Sequence, residues 1–226
     1  MQVRPLSVGL MVPVNNTTMQ PELLAWLPEG SSCHRVGIPR GKEMLSPATL
    51  PAYLAQSEAL AKDFADDDID MVVYGCTAAG LMAGPARDAR IAVDLAAVTR
   101  KPVITTASAM GAVLNNLGAR NIALVTPYLD AVNERLLAFF EPSGIKVEVL
   151  SSFQAETVDE LAAITQDEIA ARARDVMRPG IDAVFIACSQ LPTHAILLDL
   201  ERELGVPVWS SIRATAWQAM HTAEMV

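Results

Sequence analysis

Residues 71–80 read MVVYGCTAAG, and residues 183–190 repeat the same pattern as AVFIACSQ. Each stretch begins with a β-branched and aromatic run that is typical of a buried parallel strand. Each then passes through a small residue, a cysteine and a hydroxyl residue, and a segment compatible with a helix follows. The pattern predicts that Cys76 and Cys188 both lie where a strand ends and a helix begins.

The carboxyl ends of parallel strands are where open α/β sheets bind their ligands. Unpaired backbone N–H groups and the helix dipole favour negative charge there, so a thiol should have a pKa below the free-cysteine value of about 8.5. We expect Cys76 to be the more acidic thiol, because two adjacent thiolates would repel each other. Iodoacetamide should therefore modify Cys76 first, Cys188 slowly and Cys33 least.

The chain has 226 residues, enough for one large domain or two small ones with an ample core. Its formal charge of −9 and the lack of a Lys/Arg run argue against nucleic acid and anionic membranes as partners. No apolar stretch approaches the length needed to span a bilayer, and the amino terminus lacks signal-peptide features. Three cysteines do not form a disulfide framework. These features predict a soluble cytoplasmic protein and leave a homo-oligomer open.

The two cysteine stretches belong to a longer internal repeat. Residues 8–14 match residues 122–128, and residues 101–106 match residues 206–211, in the same order along the chain. The repeat predicts an α/β fold with two similar halves related by a pseudo-twofold axis. Each half would be a parallel sheet flanked by helices.

The repeat also predicts how the chain divides. The first half would comprise residues 1–115 together with 211–226 and would carry Cys76. The second would comprise residues 116–210 and would carry Cys188. Because ligand sites favour clefts between such units, we expect the active site in the cleft between the halves.

Four loops should converge on that cleft, at residues 13–18, 76–78, 126–128 and 188–190. They supply two thiols, hydroxyls, a phenol, amides and free N–H groups, but no carboxylate base and no histidine beside either cysteine. A Cys/His hydrolase needs such a histidine, and His194 begins a predicted helix that leads away from the cleft. Neither zinc-ligand spacing nor a glycine-rich phosphate loop is present, so we expect no metal and no cofactor.

A lone cysteine at a strand end is most often a small buried residue without a chemical role. Two cysteines, each followed by a hydroxyl residue at matching points of an internal repeat, favour a reactive pair instead. The third cysteine, Cys33, is not followed by a hydroxyl residue or a helix start, and we interpret it as inert.

With these features the chain resembles the aspartate/glutamate racemase superfamily, whose two α/β halves carry one cysteine each across a cleft. Residues 12–19, VPVNNTTM, resemble the amino-terminal motif of maleate cis–trans isomerases, which implies a substrate-binding role for Asn16. Residues 126–128 are similar to the loop that carries the isomerase tyrosine, here Tyr128. The resemblance covers nearly the whole chain and implies a small carboxylate or dicarboxylate substrate.

Arylmalonate decarboxylases resemble this chain too, especially at residues 128–136 and 204–211. They keep only the second cysteine and have glycine where this chain has Cys76. The chain departs from both groups after its second cysteine, where residues 189–192 read SQLP. The isomerase asparagine after the fifth strand has no clear counterpart in residues 153–157.

Three functions remain open, in order of preference. The first is a cofactor-independent isomerase or racemase acting at the carbon α to a carboxylate through both cysteines. It would be most like a maleate isomerase or an Asp/Glu-type racemase. The second is an arylmalonate decarboxylase-like enzyme that uses Cys188 as its proton donor. The third is a non-catalytic carboxylate-binding protein on the same scaffold.

The first function assigns the site residues as follows. The catalytic residues are Cys76 and Cys188, and the substrate-binding residues are Pro13, Asn16, Thr77, Ala78, Tyr128, Ser189 and Gln190. The hydroxyls of Thr77, Ser189 and Tyr128 and the backbone N–H groups after each cysteine would stabilise an enediolate. The irregular segment 28–50 and the predicted polar loop 152–165 should wall the pocket.

Overall fold

The computed structural model describes residues 4–224, which form two four-stranded sheets flanked by helices. The strands are β1 (Ser7–Pro13), β2 (Ser32–Ile38), β3 (Met71–Tyr74), β4 (Val103–Thr105), β5 (Asn121–Thr126), β6 (Lys146–Ser152), β7 (Ala183–Ile186) and β8 (Val208–Ser210). The helices are α1 (Met19–Trp26), α2 (Leu50–Ala61), α3 (Thr77–Ala83), α4 (Pro85–Thr99), α5 (Thr106–Asn116), α6 (Asp130–Phe140), α7 (Val158–Ala163), α8 (Gln166–Asp175), α9 (Leu197–Leu204) and α10 (Ser211–Glu224). None of these helices is long and apolar enough to cross a membrane.

The two sheets have the same topology. The first has the strand order β2-β1-β3-β4 and the second β6-β5-β7-β8, and all their strand pairs are parallel. Strands β3 and β7, which precede the two cysteines, are buried along their whole length. Such strands carry continuous apolar runs rather than alternating ones, as their sequences do. The predicted fold class, with two similar halves, is confirmed.

The helices that follow β4 and β8 cross between the two sheets. Helix α5 buries Met110 and Val113 in the apolar cluster that contains β5 and β7. Helix α10 buries Ile212 and Ala216 in a cluster built around β1. The division of the chain after residues 115 and 210 stays a prediction, and its ends, residues 1–3 and 225–226, lie outside the described residues.

One sequence prediction is wrong in the second half, because residues 152–165 are not all loop. Helix α7 lies inside this segment and is capped by Thr157, whose hydroxyl accepts a hydrogen bond from the Glu160 N–H at 3.1 Å. The Thr-x-x-Glu spacing is a helix-start signal. The polar composition of the segment concealed it.

A second prediction is wrong at Cys188, which no helix follows directly. Residues 189–196 form turns, and α9 begins only at Leu197, so His194 lies before the helix. Pro192 disfavours helical backbone at the residue before it.

The helical glycines offer a test of how tightly the first half packs behind Cys76. A Cβ at Gly80 in α3 would press on Asp88 Oδ1 and lie 2.5 Å from Ala107 Cβ, so Gly80→Ala should lower the free energy of unfolding by about 1–3 kcal/mol. Gly111→Ala in α5 is the matched control, because its Cβ would meet nothing within 4 Å. Replacing this helical glycine with alanine should raise the free energy of unfolding by roughly 0.5–1 kcal/mol. Urea denaturation measures both, and equal effects would contradict this packing.

Candidate active site

The loops at the carboxyl ends of the strands enclose a cavity of about 30 Å³ between the two halves. It brings together every site residue predicted from the sequence: Cys76, Cys188, Pro13, Asn16, Thr77, Ala78, Tyr128, Ser189 and Gln190. Val132 and members of segments 28–50 and 152–165 complete the wall: Arg40, Met44, Leu45 and Leu161. The predicted residues therefore share one cavity, and their roles stay predictions.

Cys76 follows β3 and caps the amino-terminal end of α3, as the sequence predicts. The preceding Gly75 packs tightly, since a Cβ there would fall 2.6 Å from Met19 Sδ and 2.7 Å from Val12 Cγ1. The Gly75 N–H donates to the Met11 carbonyl at 2.7 Å. Sheet hydrogen bonding thus continues to the residue next to the thiol, which fixes its backbone.

Cys188 occupies the matching position after β7. The Ala187 N–H donates to the Val125 carbonyl at 2.8 Å, as the Gly75 N–H does to its own neighbour in the first half. The Gln190 N–H points back at the Cys188 sulfur, with a nitrogen–sulfur distance of 3.4 Å. A turn N–H therefore faces this thiol in place of a helix start.

Burial raises the pKa of the Cys76 thiol above its ordinary value. The nearby Tyr53 hydroxyl and Ala79 N–H, together with the charge of Arg40, act in the opposite direction. The prediction of an acidic Cys76 is therefore wrong, because the closed cavity removes the water that would stabilise a thiolate.

The Cys188 thiol behaves in the same way. Burial raises its pKa, while the Gln190 N–H and the Tyr128 hydroxyl favour the thiolate less strongly. Burial also raises the pKa of Cys33, on β2, to about 12. Both cavity thiols therefore favour the protonated form, and the predicted order of alkylation stays a prediction.

Hydrogen bonds across the cleft join the two cysteine loops. The Asn16 Nδ2 donates to the Ser189 carbonyl at 3.1 Å, and the Ser189 hydroxyl donates to the Gly75 carbonyl at 2.8 Å. The Asn16 Oδ1 accepts from the N–H groups of Thr18 and Met19, at 3.0 Å each. Asn16 and Ser189 thus hold the halves together beside both thiols.

Three hydroxyls in and behind the cavity wall have no hydrogen-bonded nitrogen or oxygen partner within the described chain. They belong to Tyr53, Thr77 and Tyr128, and their oxygens are buried. Burial raises the pKa of Tyr128 well above its ordinary value, so this phenol stays protonated and can donate. Buried donors without acceptors are costly unless a ligand supplies the acceptor, and this favours an anionic ligand.

Sequence reasoning missed Tyr53 and Arg40. Tyr53 belongs to the apolar face of α2, where an aromatic residue is usually part of the core. Arg40 lies in the irregular segment between β2 and α2, whose path no periodicity determines. The available signal was its place just after a parallel strand, at the same sheet edge as Cys76.

Comparison with known proteins identifies the family. The sequence model of the arylmalonate decarboxylase family matches residues 8–226 of the chain. The chain belongs to the arylmalonate decarboxylase family. The resemblance inferred from the sequence motifs is thereby confirmed.

This family member is similar to the maleate isomerase of Nocardia farcinica, with 28% identity over 96% of the chain and 90% of that protein. It is also similar to the arylmalonate decarboxylase of Bordetella bronchiseptica, with 33% identity over 62% of the chain and 59% of that protein. A solved structure of a cysteine-to-serine variant of the Nocardia enzyme contains a covalently bound succinylcysteine intermediate. Its TM-score to this family member is 0.89 at 27% identity, covering 98% of this chain and 94% of that one.

The contact between Tyr53 and Cys76 predicts a change in thiol reactivity. Because the nearby tyrosine hydroxyl favours the thiolate, Tyr53→Phe should raise the pKa of Cys76 further. The pH at which iodoacetamide labels Cys76 should then move upward, as followed by mass spectrometry of the labelled peptide. Tyr74→Phe is the matched control, since the Tyr74 hydroxyl lies 3.3 Å from the Ser57 hydroxyl. This variant should leave the labelling pH of Cys76 unchanged. Equal profiles for the wild type and Tyr53→Phe would contradict the assigned contact.

Proposed function

We propose that this chain is a cofactor-independent cis–trans isomerase of a small dicarboxylate such as maleate. The observation that carries the proposal is the pair of buried thiols, Cys76 and Cys188, in one cavity with unpartnered hydroxyl donors. The similarity to maleate isomerases over nearly the whole chain supports the same reaction. The succinylcysteine in the Nocardia relative supports a covalent route through one cysteine.

The reaction begins when the Cys76 thiolate adds to one alkene carbon of the cis substrate. An S–C bond replaces the π bond, and the electron pair moves to the neighbouring carbon and its carboxylate as an enediolate. Cys188 protonates that carbon to give a succinyl thioether, and rotation about the central single bond follows. Cys188 then takes the proton back, the S–C bond breaks, and the trans product leaves as the Cys76 thiolate returns.

Cys76 must lose its proton before it adds to the alkene, and burial opposes this step. The Tyr53 hydroxyl, the Ala79 N–H and the Arg40 charge all favour the thiolate. Cys188 has the opposite requirement, because it must begin as a neutral acid. Its raised pKa suits that role.

The enediolate needs donors where its charge develops. The Thr77 and Tyr128 hydroxyls line the cavity without partners, and Tyr128 lies against Cys188. Both are neutral, so they stabilise an anion without a net charge of their own. We assign these two hydroxyls to the carboxylate next to the reacting carbon.

Decarboxylation of a disubstituted malonate is a second candidate, favoured by the family model and by the Bordetella relative. Carbon dioxide would leave first, and Cys188 alone would protonate the resulting enediolate. Cys76 would have no chemical role. Racemisation, in which one thiol removes a proton and the other returns it on the opposite face, needs both thiols.

Single cysteine substitutions test the two-thiol mechanism. Cys76→Ala and Cys188→Ala should each lower kcat by about 10³-fold or more, because each removes a group that forms or breaks a bond in the reaction. Cys33→Ala is the control and should retain activity, since Cys33 lies outside the cavity wall. Proton NMR in D₂O on dicarboxylates and amino acids reports isomerisation, exchange and decarboxylation together. Near wild-type turnover in either cavity variant would refute the mechanism.

The decarboxylase alternative makes a separate prediction. If the chain is the proposed isomerase, the wild type should release no carbon dioxide from an arylmalonate. Cys76→Gly, which introduces the glycine found in arylmalonate decarboxylases, should abolish isomerisation. Under the alternative, arylmalonate decarboxylation is present in wild type and survives Cys76→Gly. Carbon dioxide release measured on both proteins decides between them.

A further inference from the structure

Among residues 4–224, Arg40 is the single charged residue that lines the cavity. It follows β2 at the same sheet edge as the cysteine loops, in the segment that leads to α2. No acidic residue of the described wall balances the positive charge of Arg40. An uncompensated cation beside two thiols and neutral donors makes the cavity selective for negative charge.

The Arg40 guanidinium is incompletely satisfied. Its Nη2 donates to the neutral Asn15 Oδ1 at 3.2 Å, and its Nε is buried without a partner. Within residues 4–224 it forms no ion pair, whereas Arg4, Arg174 and Arg213 each contact a carboxylate. A buried N–H of a charged group is costly without an acceptor, and a bound carboxylate would supply that acceptor.

The segment that carries Arg40 is fastened over the site. Glu43 forms an antiparallel β-bridge with Thr157, and the Val158 N–H donates to the Lys42 carbonyl at 3.0 Å. On its outer side the same segment borders a hollow of about 430 Å³, which Arg40 also lines. The arginine is therefore fixed at the wall between the thiols and the outer space.

We propose that Arg40 binds the second carboxylate of a dicarboxylate substrate, which is the carboxylate that does not become part of the enediolate. This assignment deepens the proposed function and takes its substrate class from it. The neutral hydroxyls of Thr77 and Tyr128 serve one carboxylate, and the guanidinium serves the other. A planar guanidinium matches a carboxylate with paired N–H groups, which gives geometric as well as electrostatic selectivity.

The same placement selects between reactions. In decarboxylation the departing carboxylate loses its charge as the C–C bond breaks, so a cation on it stabilises the ground state more than the transition state. In isomerisation the second carboxylate keeps its charge throughout, so this loss of ground-state stabilisation does not arise. Arg40 thus favours isomerisation of a dianion over loss of carbon dioxide.

Binding of unreactive probes tests the role of Arg40 without relying on turnover. Succinate carries two carboxylates, and succinamate replaces one of them with a neutral amide. By calorimetry, wild type should bind succinate about 10- to 100-fold more tightly than succinamate, the range of a charge-assisted pair. In Arg40→Gln the preference should fall to near one. Lys42→Gln is the matched control, because it removes a neighbouring cation outside the cavity wall and should keep the preference.

The outcomes separate this inference from the proposed function. A wild type that binds succinate no better than succinamate, or an Arg40→Gln variant that keeps the preference, overturns the role of Arg40. Should Arg40→Gln fail to fold, Arg40→Lys, which keeps the charge but loses the paired N–H groups, should show a reduced preference, and an unchanged one overturns the role. If wild type shows the preference and Arg40→Gln loses it while maleate is not turned over, the proposed reaction fails and Arg40 stands.

Discussion

The hydrogen bond from the Ser189 hydroxyl to the Gly75 carbonyl joins the two cysteine loops, and the site depends on it. Asn16 reinforces it by donating to the Ser189 carbonyl from the first half. Each half thereby supplies a side chain that donates a hydrogen bond to a backbone carbonyl beside the other half's cysteine. Together with the apolar packing of α5 and α10 between the sheets, these contacts hold the two halves beside the cavity.

Much of this arrangement is local enough to be predicted from the sequence. The apolar runs of β3 and β7 and the repeat of their flanking residues predict two similar parallel sheets and the place of both cysteines. Parallel strands end at one edge, so Asn16 and Tyr128 could be placed beside the thiols without a structure. The break between α3 and α4 at Gly84 follows from its glycine and the proline after it.

The properties that could not be predicted depend on what covers the cavity. Thiol acidity was predicted from helix geometry, but burial dominates, and burial comes from parts of the chain far away in sequence. Tyr53 reaches Cys76 from α2, and Arg40 arrives from a segment without periodicity. Long-range contacts of this kind leave no pattern along the chain.

The pairing of residues 42–43 with residues 157–158 has a kinetic consequence. A cavity of about 30 Å³ has room for roughly one water molecule, so a four-carbon diacid enters only after its wall moves. The contacts of Asn16 and Ser189 resist separation of the halves, which leaves this short pairing as the weaker barrier. Contacts of this type contribute about 1 kcal/mol each, so a few of them can be broken at a small cost in free energy. A diacid that entered by parting this pairing would break only a few backbone hydrogen bonds, and the hydrogen bond between the two cysteine loops would be kept.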